Sequence, residues 1–325
     1  MTTALFVLAI IAGFAVLIWG ADRFVDGAAN IATNFGVSPL IVGLTIVGFG
    51  TSAPEMLVSA LASLDGAPAL GIGNALGSNI ANIGMVLGIT ILVTPLVINS
   101  ATLSREFPML ALVMALALFL LWDQFLGYTD GLILFAGFIF TLFGMAYLAI
   151  RSSKDDPLEQ EFEQEYAEAK MTTKQSILSF IIGLTALLIG SKALVWGAVG
   201  VATLLGVSEL IIGLTIVAIG TSLPELAASI ISVLKNEHDI AIGNILGSNI
   251  FNILAVLAMP GLIQPSTVDS AVISRDFPFM VALFVMLYLF SRTGHIGRLA
   301  GSSLLVVYVA YNGLLAYQST IGMTA

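Results

Sequence analysis

No cysteine occurs anywhere in the 325 residues, which removes disulfides, thiolate metal sites and cysteine nucleophiles from consideration. Charge is scarce too: Asp, Glu, Lys and Arg make up 10% of the chain, against about 25% in a soluble domain. Apolar residues fill the gap at 58%, and the mean hydropathy is +1.04. Such a chain is an integral membrane protein whose partner is the lipid bilayer; nothing in it suggests nucleic acid or an obligate protein partner. The net charge of -9 is mostly local, because seven of the twenty acids lie between Asp155 and Glu168. The N-terminal apolar run lacks a basic leader and a small-residue cleavage site, so it reads as a first span and not as a removed signal.

The chain is duplicated. Residues 36–55 read GVSPLIVGLTIVGFGTSAPE and residues 206–225 read GVSELIIGLTIVAIGTSLPE, an offset of 170 at every position. The same offset relates GIGNALGSNIAN (71–82) to AIGNILGSNIFN (241–252), and SREFP (104–108) to SRDFP (274–278). Segments of about 20 apolar residues, enough to span a bilayer, fall near 4–34, 38–63, 69–93, 104–122 and 129–150. The second half gives 175–204, 208–234, 239–263, 273–291 and 295–317. Five spans per half is odd, so the second half enters from the opposite side. The expected fold is all-α: ten transmembrane helices as two inverted-topology five-helix repeats, residues 1–150 and 175–325, joined by an acidic linker at 151–174. Inverted repeats are a common basis of alternating access in secondary transporters.

Lys and Arg in loops set the orientation. One face holds Arg105, Arg151, Lys154, Lys170, Lys174, Lys235, Arg292 and Arg298, and the other only Arg275. Both termini are therefore expected outside, with the linker cytoplasmic. The linker reads as a solvated tether in preference to a cation-sensing segment, since charge runs of this kind face solvent.

Two spans carry groups that hydrocarbon does not tolerate. In the second, Pro54 has no N–H and its ring crowds the carbonyl of Gly50, which frees backbone oxygen from the helical ladder. Irregular backbone at membrane depth is tolerated only inside protein or beside a wet cavity. Thr51, Ser52 and Glu55 are three and four residues apart and share one helix face. Hydroxyl, carboxylate and carbonyl oxygens are the ligands of hard cations; calcium takes about six to eight at roughly 2.3–2.6 Å. The third span adds Asn74, Ser78 and Asn82 at every fourth residue, with Gly71, Gly73 and Gly77 allowing close helix approach. The second half repeats the set as Thr221, Ser222, Pro224 and Glu225, then Asn244, Ser248 and Asn252. Two carboxylates meeting at midplane among hydroxyls and amides make a cation site, half from each repeat.

Blander roles compete for several of these residues. The three glycines read as packing devices, a lone Ser or Thr in a span often bonds its own backbone, and Asn74 and Asn244 suit interhelical glue as well as ligation. Glu55 and Glu225 have no comparable alternative. Arg23 and Lys192 each occur once along the repeat and cannot pair both glutamates symmetrically. Asp22, Arg23 and Asp26 read as an internal salt cluster or a helix end near water, without equivalent acids in the second half.

GTSAPE with GNALGSNIAN, and GTSLPE with GNILGSNIFN, closely resemble the paired alpha-repeats of the cation/calcium exchanger superfamily, best those of the prokaryotic sodium/calcium exchangers. The resemblance covers essentially the whole chain and implies a prokaryotic cell (inner) membrane as its location. It implies that Glu55 and Glu225 bind calcium, and that Thr51, Ser52, Ser78, Thr221, Ser222 and Ser248 offer oxygens to sodium or calcium. It also implies backbone carbonyls at Gly48 and Ala218, and movement of the first and sixth spans against a core of spans two, three, seven and eight. Proton-coupled members tend to show G-N-x-x-E at the signature, so the text here favours sodium. Asn82 and Asn252 match site positions at which some branches, the potassium-dependent exchangers among them, carry aspartate at the second; amides at both argue against potassium dependence and leave two carboxylates.

The reading is thus a sodium/calcium antiporter, not an enzyme, with calcium and sodium as transported ions and no cofactor. The alternative is a proton-coupled exchanger of calcium or another divalent ion, since burial penalises a charged carboxyl. A channel, and an intramembrane hydrolase using Ser52 or Ser222 with His238 or His295 as base, are remoter readings. Paired mid-membrane carboxylates suit a carrier better than a channel, and both histidines fall near loops.

Overall fold

The computed structural model describes residues 2–36, 42–98, 100–152, 171–204 and 218–322. Most of the expected linker, the first ten residues of the expected seventh span (with the rest of the GVSELIIGLTIV repeat, 206–217) and residues 37–41 of the GVSPLI stretch lie outside these residues. Seven helical stretches among those described are long and apolar enough to cross a membrane: Thr3–Phe35, Gly43–Leu64, Pro68–Val93, Thr173–Val201, His238–Ile263, Val272–Ser291 and Arg298–Tyr317. Three shorter apolar helices, Glu106–Leu121, Tyr128–Gly144 and Leu223–Leu234, fall where the fourth, fifth and seventh spans are expected. The chain is a multi-pass, mostly helical membrane protein.

Within these stretches we distinguish α1 (Thr2–Phe35), α2 (Gly48–Leu64), α3 (Pro68–Ala81), α4 (Gly88–Val93), α5 (Ser100–Leu121), α6 (Tyr128–Ser152) and α7 (Thr173–Leu204). Then come α8 (Ala218–Thr221), α9 (Leu223–Leu234), α10 (His238–Phe251), α11 (Ala258–Ile263), α12 (Phe277–Ser291) and α13 (Arg298–Gly322). Four π-helical turns, Gly43–Val47, Asn82–Leu87, Asn252–Val256 and Val272–Asp276, interrupt the regular winding.

The packing reproduces the sequence repeat. Helices α1 and α7 lie against each other along their length in opposite chain directions: Gly13 meets the backbone of Leu194, Gly20 that of Leu187 and Gly27 that of Phe180. The image contacts, Gly183 on Phe24, Gly190 on Leu17 and Gly197 on Phe6 and Ile10, are made as well. A Cβ at Gly20 would stand 2.8 Å from the Leu187 nitrogen, so only glycine lets the two backbones touch; small residues serve this purpose wherever membrane helices cross closely.

An all-α expectation misses four two-residue strands in the loops. Strand β1 (Leu96–Val97) pairs antiparallel with β4 (His295–Ile296), and β2 (Phe125–Leu126) with β3 (Ser266–Thr267). Leu96 faces Ile296 in one ladder and Leu126 faces Ser266 in the other, so each ladder is the image of the other at the repeat offset and draws one strand from each half. Paired backbone at loop ends satisfies N–H and C=O groups that the helices leave open.

Residues 240–261 are buried throughout and Pro68–Val93 largely so, whereas the N-terminal half of α1 is mostly exposed. Exposed Phe119, Phe140, Phe143 and Leu299 on α5, α6 and α13 mark the lipid-facing rim. Polar side chains on α3 and α10 therefore sit inside protein, where every unpaired donor or acceptor is costly.

Candidate cation site

The TSxPE signature folds differently in the two halves. In the first, α2 runs through Pro54 without ending, and Glu55 lies mid-helix. In the second, α8 stops at Thr221, Ser222 takes φ −90° and ψ 6°, and α9 starts afresh with Pro224 in its first turn. Glu225 therefore occupies the first turn of α9, where exposed backbone N–H groups and the helix dipole favour a negative charge. Glu55 has no such support.

Each glutamate is held from behind by an asparagine of the following helix. The Asn74 amide donates to the Glu55 carbonyl oxygen at 3.0 Å and to Ser59 Oγ at 3.1 Å. The Asn244 amide donates to the Glu225 carbonyl oxygen at 3.4 Å and to Ser229 Oγ at 3.1 Å. Asn74 is therefore glue between α2 and α3. Asn244 is glue as well, and its Oδ1 also receives the Thr51 hydroxyl at 3.1 Å. That hydroxyl stands 3.3 Å from Ser248 Oγ, and Ser248 in turn donates to the Gly48 carbonyl at 3.4 Å. These bonds cross between the halves and set α2 against α10. Glycine at 43 and 247 permits the approach: a Cβ at Gly247 would run into the Leu44 carbonyl, and one at Gly43 would come within 2.8 Å of the Ile240 oxygen.

In front of the two glutamates the polar atoms lack partners. Glu55 and Glu225 are 1% and 0% exposed, yet Glu55 Oε2 and both Glu225 carboxylate oxygens accept no hydrogen bond among the described residues. The same holds for the Ser52 and Ser222 hydroxyls and for both amide atoms of Asn82 and Asn252. Asn244 joins the two motifs, since it bonds the Glu225 carbonyl oxygen and receives the hydroxyl of Thr51, one helical turn before Glu55. Native proteins leave few buried polar groups unpaired, and two facing carboxylates without a cation repel. Ser232, His238, Asn249 and Ser266 also carry unpartnered atoms, but the glutamates with Ser52, Ser222, Asn82 and Asn252 are the set that both halves repeat at the offset of 170. That donor set fits a hard cation: two carboxylates, hydroxyls and amide oxygens. Among the described residues no three or more His, Asp or Glu side chains are grouped so as to hold a metal ion, so the two glutamates would depend on hydroxyl, amide and carbonyl oxygens.

Asn82 and Asn252 each open a π-helical turn. The turn at Asn252–Val256 packs on α3, and that at Asn82–Leu87 on α9 and α10. Such turns are frequent at functional sites because the extra residue re-aims side chains. Ser78 is 5% exposed on α3, Thr221 is half-buried at the end of α8, and the Ala218 backbone opens α8. The glycines of α3 divide: Gly71 packs on Ser59 and Pro260, whereas Gly73 and Gly77 have no described atom against them. The histidines stand apart, His295 exposed in β4 and His238 ten residues, roughly 15 Å of helix, before Ser248. Arg23 lies over the Trp19 ring at 5.9 Å, and Asp22 and Asp26 pair with Lys235 of the other half. Ser59 and Ser229 escape a reading built on ligand motifs, although each stands four residues after its glutamate, on the same helix face.

The family model for "Sodium/calcium exchanger protein" matches residues 5–147 and 175–317. The Alkalimonas amylolytica protein CaxA, provisionally named an antiporter, is 47% identical over 94% of this chain and 97% of its own length. The sodium/calcium exchanger MaX1 of Methanosarcina acetivorans is 32% identical over 95% of this chain and 98% of its own. Among solved structures, the sodium-calcium exchanger NCX_Mj soaked with zero Na+ and Ca2+ superposes with a TM-score of 0.82 at 32% identity, covering 96% of this chain and 99% of that one. With the duplicated signature, the buried pair of glutamates and these matches in hand, the chain belongs to the sodium/calcium exchanger protein family.

Proposed function

We propose that this protein is a secondary antiporter that exchanges sodium for calcium by alternating access, with Glu55 and Glu225 as the charged ligands. The observation that carries the reading is the pair of buried glutamates, one from each half of the repeat, with Glu55 Oε2 and both Glu225 carboxylate oxygens unpartnered among the described residues. Ser52, Ser222, Ser78, Ser248, Thr51, Thr221, Asn82 and Asn252, with the Gly48 and Ala218 carbonyls, complete an oxygen-rich shell that sodium and calcium share in turn. Two negative charges balance one calcium or two sodium ions, and neutral oxygens hold any further sodium.

The ten-span inverted topology, with both termini outside and the linker cytoplasmic, is part of this reading. The opposed directions of α1 and α7 support it. So do the ladders, since each joins two loops that this topology puts on one side of the membrane. Alternating access then moves α1 and α7 together against the helices that bear the site.

The test is radioactive calcium uptake into proteoliposomes loaded with sodium, with membrane potential clamped. Uptake should require the sodium gradient. Glu55→Gln and Glu225→Gln should each abolish it while the purified protein keeps its size-exclusion profile and helical circular dichroism. Normal uptake by either variant overturns the site; uptake driven by a pH gradient without sodium replaces sodium by protons in the same site.

A further inference from the structure

The two halves differ most sharply in one place, where charges are exchanged. Lys235 caps α9, the helix that carries Glu225, and reaches across to α1. Its Nζ stands 2.7 Å from Asp22 Oδ1, 2.7 Å from Asp26 Oδ1 and 3.1 Å from the Asp22 carbonyl oxygen. At the repeat offset, Lys235 corresponds to Asp65 and Asp22 to Lys192. Asp65 caps α2, the helix that carries Glu55, and Lys192 lies on α7. The register here is secure, because the glycine contacts of α1 and α7 obey it throughout. Both signs are reversed together, so attraction between the two places is retained. Asp65 and Lys192 are exposed and make no ion pair among the described residues.

We propose that Lys235 with Asp22 and Asp26, and Asp65 with Lys192, are alternate ionic latches, one closed in each access state. When the halves exchange conformations, α7 comes to stand toward α2 as α1 now stands toward α9. Lys192 then meets Asp65, while Lys235 loses α1. The closed latch joins one lysine to two acids. The other has a single acid, because Trp196 stands where Asp26 has its counterpart. The conformation described here is therefore the favoured one in the absence of transported ions. This inference rests on the alternating-access reading, and its readout is geometric so that the two fail separately.

The chain's lack of cysteine makes the test direct. Full-length protein in proteoliposomes carries either Asp22→Cys with Lys235→Cys or Asp65→Cys with Lys192→Cys, and is treated with a short bifunctional thiol reagent. Without sodium or calcium the first pair should cross-link fast and the second slowly. Lys235→Gln, added to the second pair, should raise its rate about two- to five-fold, the range of exposed ion pairs. A four-cysteine protein should form either bridge but never both in one molecule. Failure of the second pair to cross-link under any sodium or calcium condition, or both bridges in one molecule, overturns the latches whether or not calcium is transported. Alternating cross-links without calcium uptake would uphold the latches and reject the exchange.

Discussion

At the scale of single residues, the proposed site is two buried glutamates whose backbone carbonyls accept asparagine amides and whose carboxylates have unpartnered oxygens. The support is testable apart from the ligands. Ser229 is fully buried and accepts the Asn244 amide, and Asn244 also receives Thr51 from the other half. Ser229→Ala removes that acceptor, which costs about 1 kcal/mol. We expect a lower melting temperature in detergent, with sodium-dependent calcium uptake kept. Loss of uptake with unchanged melting would make Ser229 a ligand instead. Glu55, Glu225 and their hydroxyl neighbours are legible in the sequence, because an ion in a span has few reasons to be there. Ser59, Ser229 and the crossing bond from Thr51 to Asn244 are not, because glue between helices depends on which faces meet, and sequence spacing alone does not give that.

At the scale of helices, close approach is set by glycine. A Cβ at Gly183 would overlap the Phe24 backbone nitrogen, whereas nothing described lies within 4 Å of the corresponding position at Gly313. Gly183→Ala should therefore force α1 and α7 apart and destabilise the protein by about 1–3 kcal/mol, as overpacking does. Gly313→Ala should be neutral or stabilise by up to about 1 kcal/mol through helix propensity. Thermal unfolding of both variants checks the contrast, and equal effects would refute it. Hydrophobic run length places most helices within a few residues. It does not show the π turns at Asn82 and Asn252 or the break at Ser222. One motif, TSxPE, yields a continuous helix in one half and a broken one in the other, so packing and not local sequence decides the winding.

At the scale of the whole molecule, duplication organises everything described. The topology predicts opposite sidedness for two exposed loop positions, Asp123 between α5 and α6 and Asn236 between α9 and α10. In intact cells a membrane-impermeant thiol reagent should label Asp123→Cys at once and Asn236→Cys only after permeabilisation; labelling of both from outside would reject the ten-span order. The duplication itself is plain in the sequence, since the offset of 170 never slips. The ladders are invisible there, because two-residue strands carry no periodicity. Yet their register has the widest consequence. Leu96 on Ile296 and Leu126 on Ser266 are one contact made twice, and so are the two sets of glycine crossings between α1 and α7. A chain of half this length, inserted in both orientations, would find every one of those partners on a second copy of itself. The duplicated chain thus does within one molecule what an antiparallel homodimer of the half-length chain would do between two.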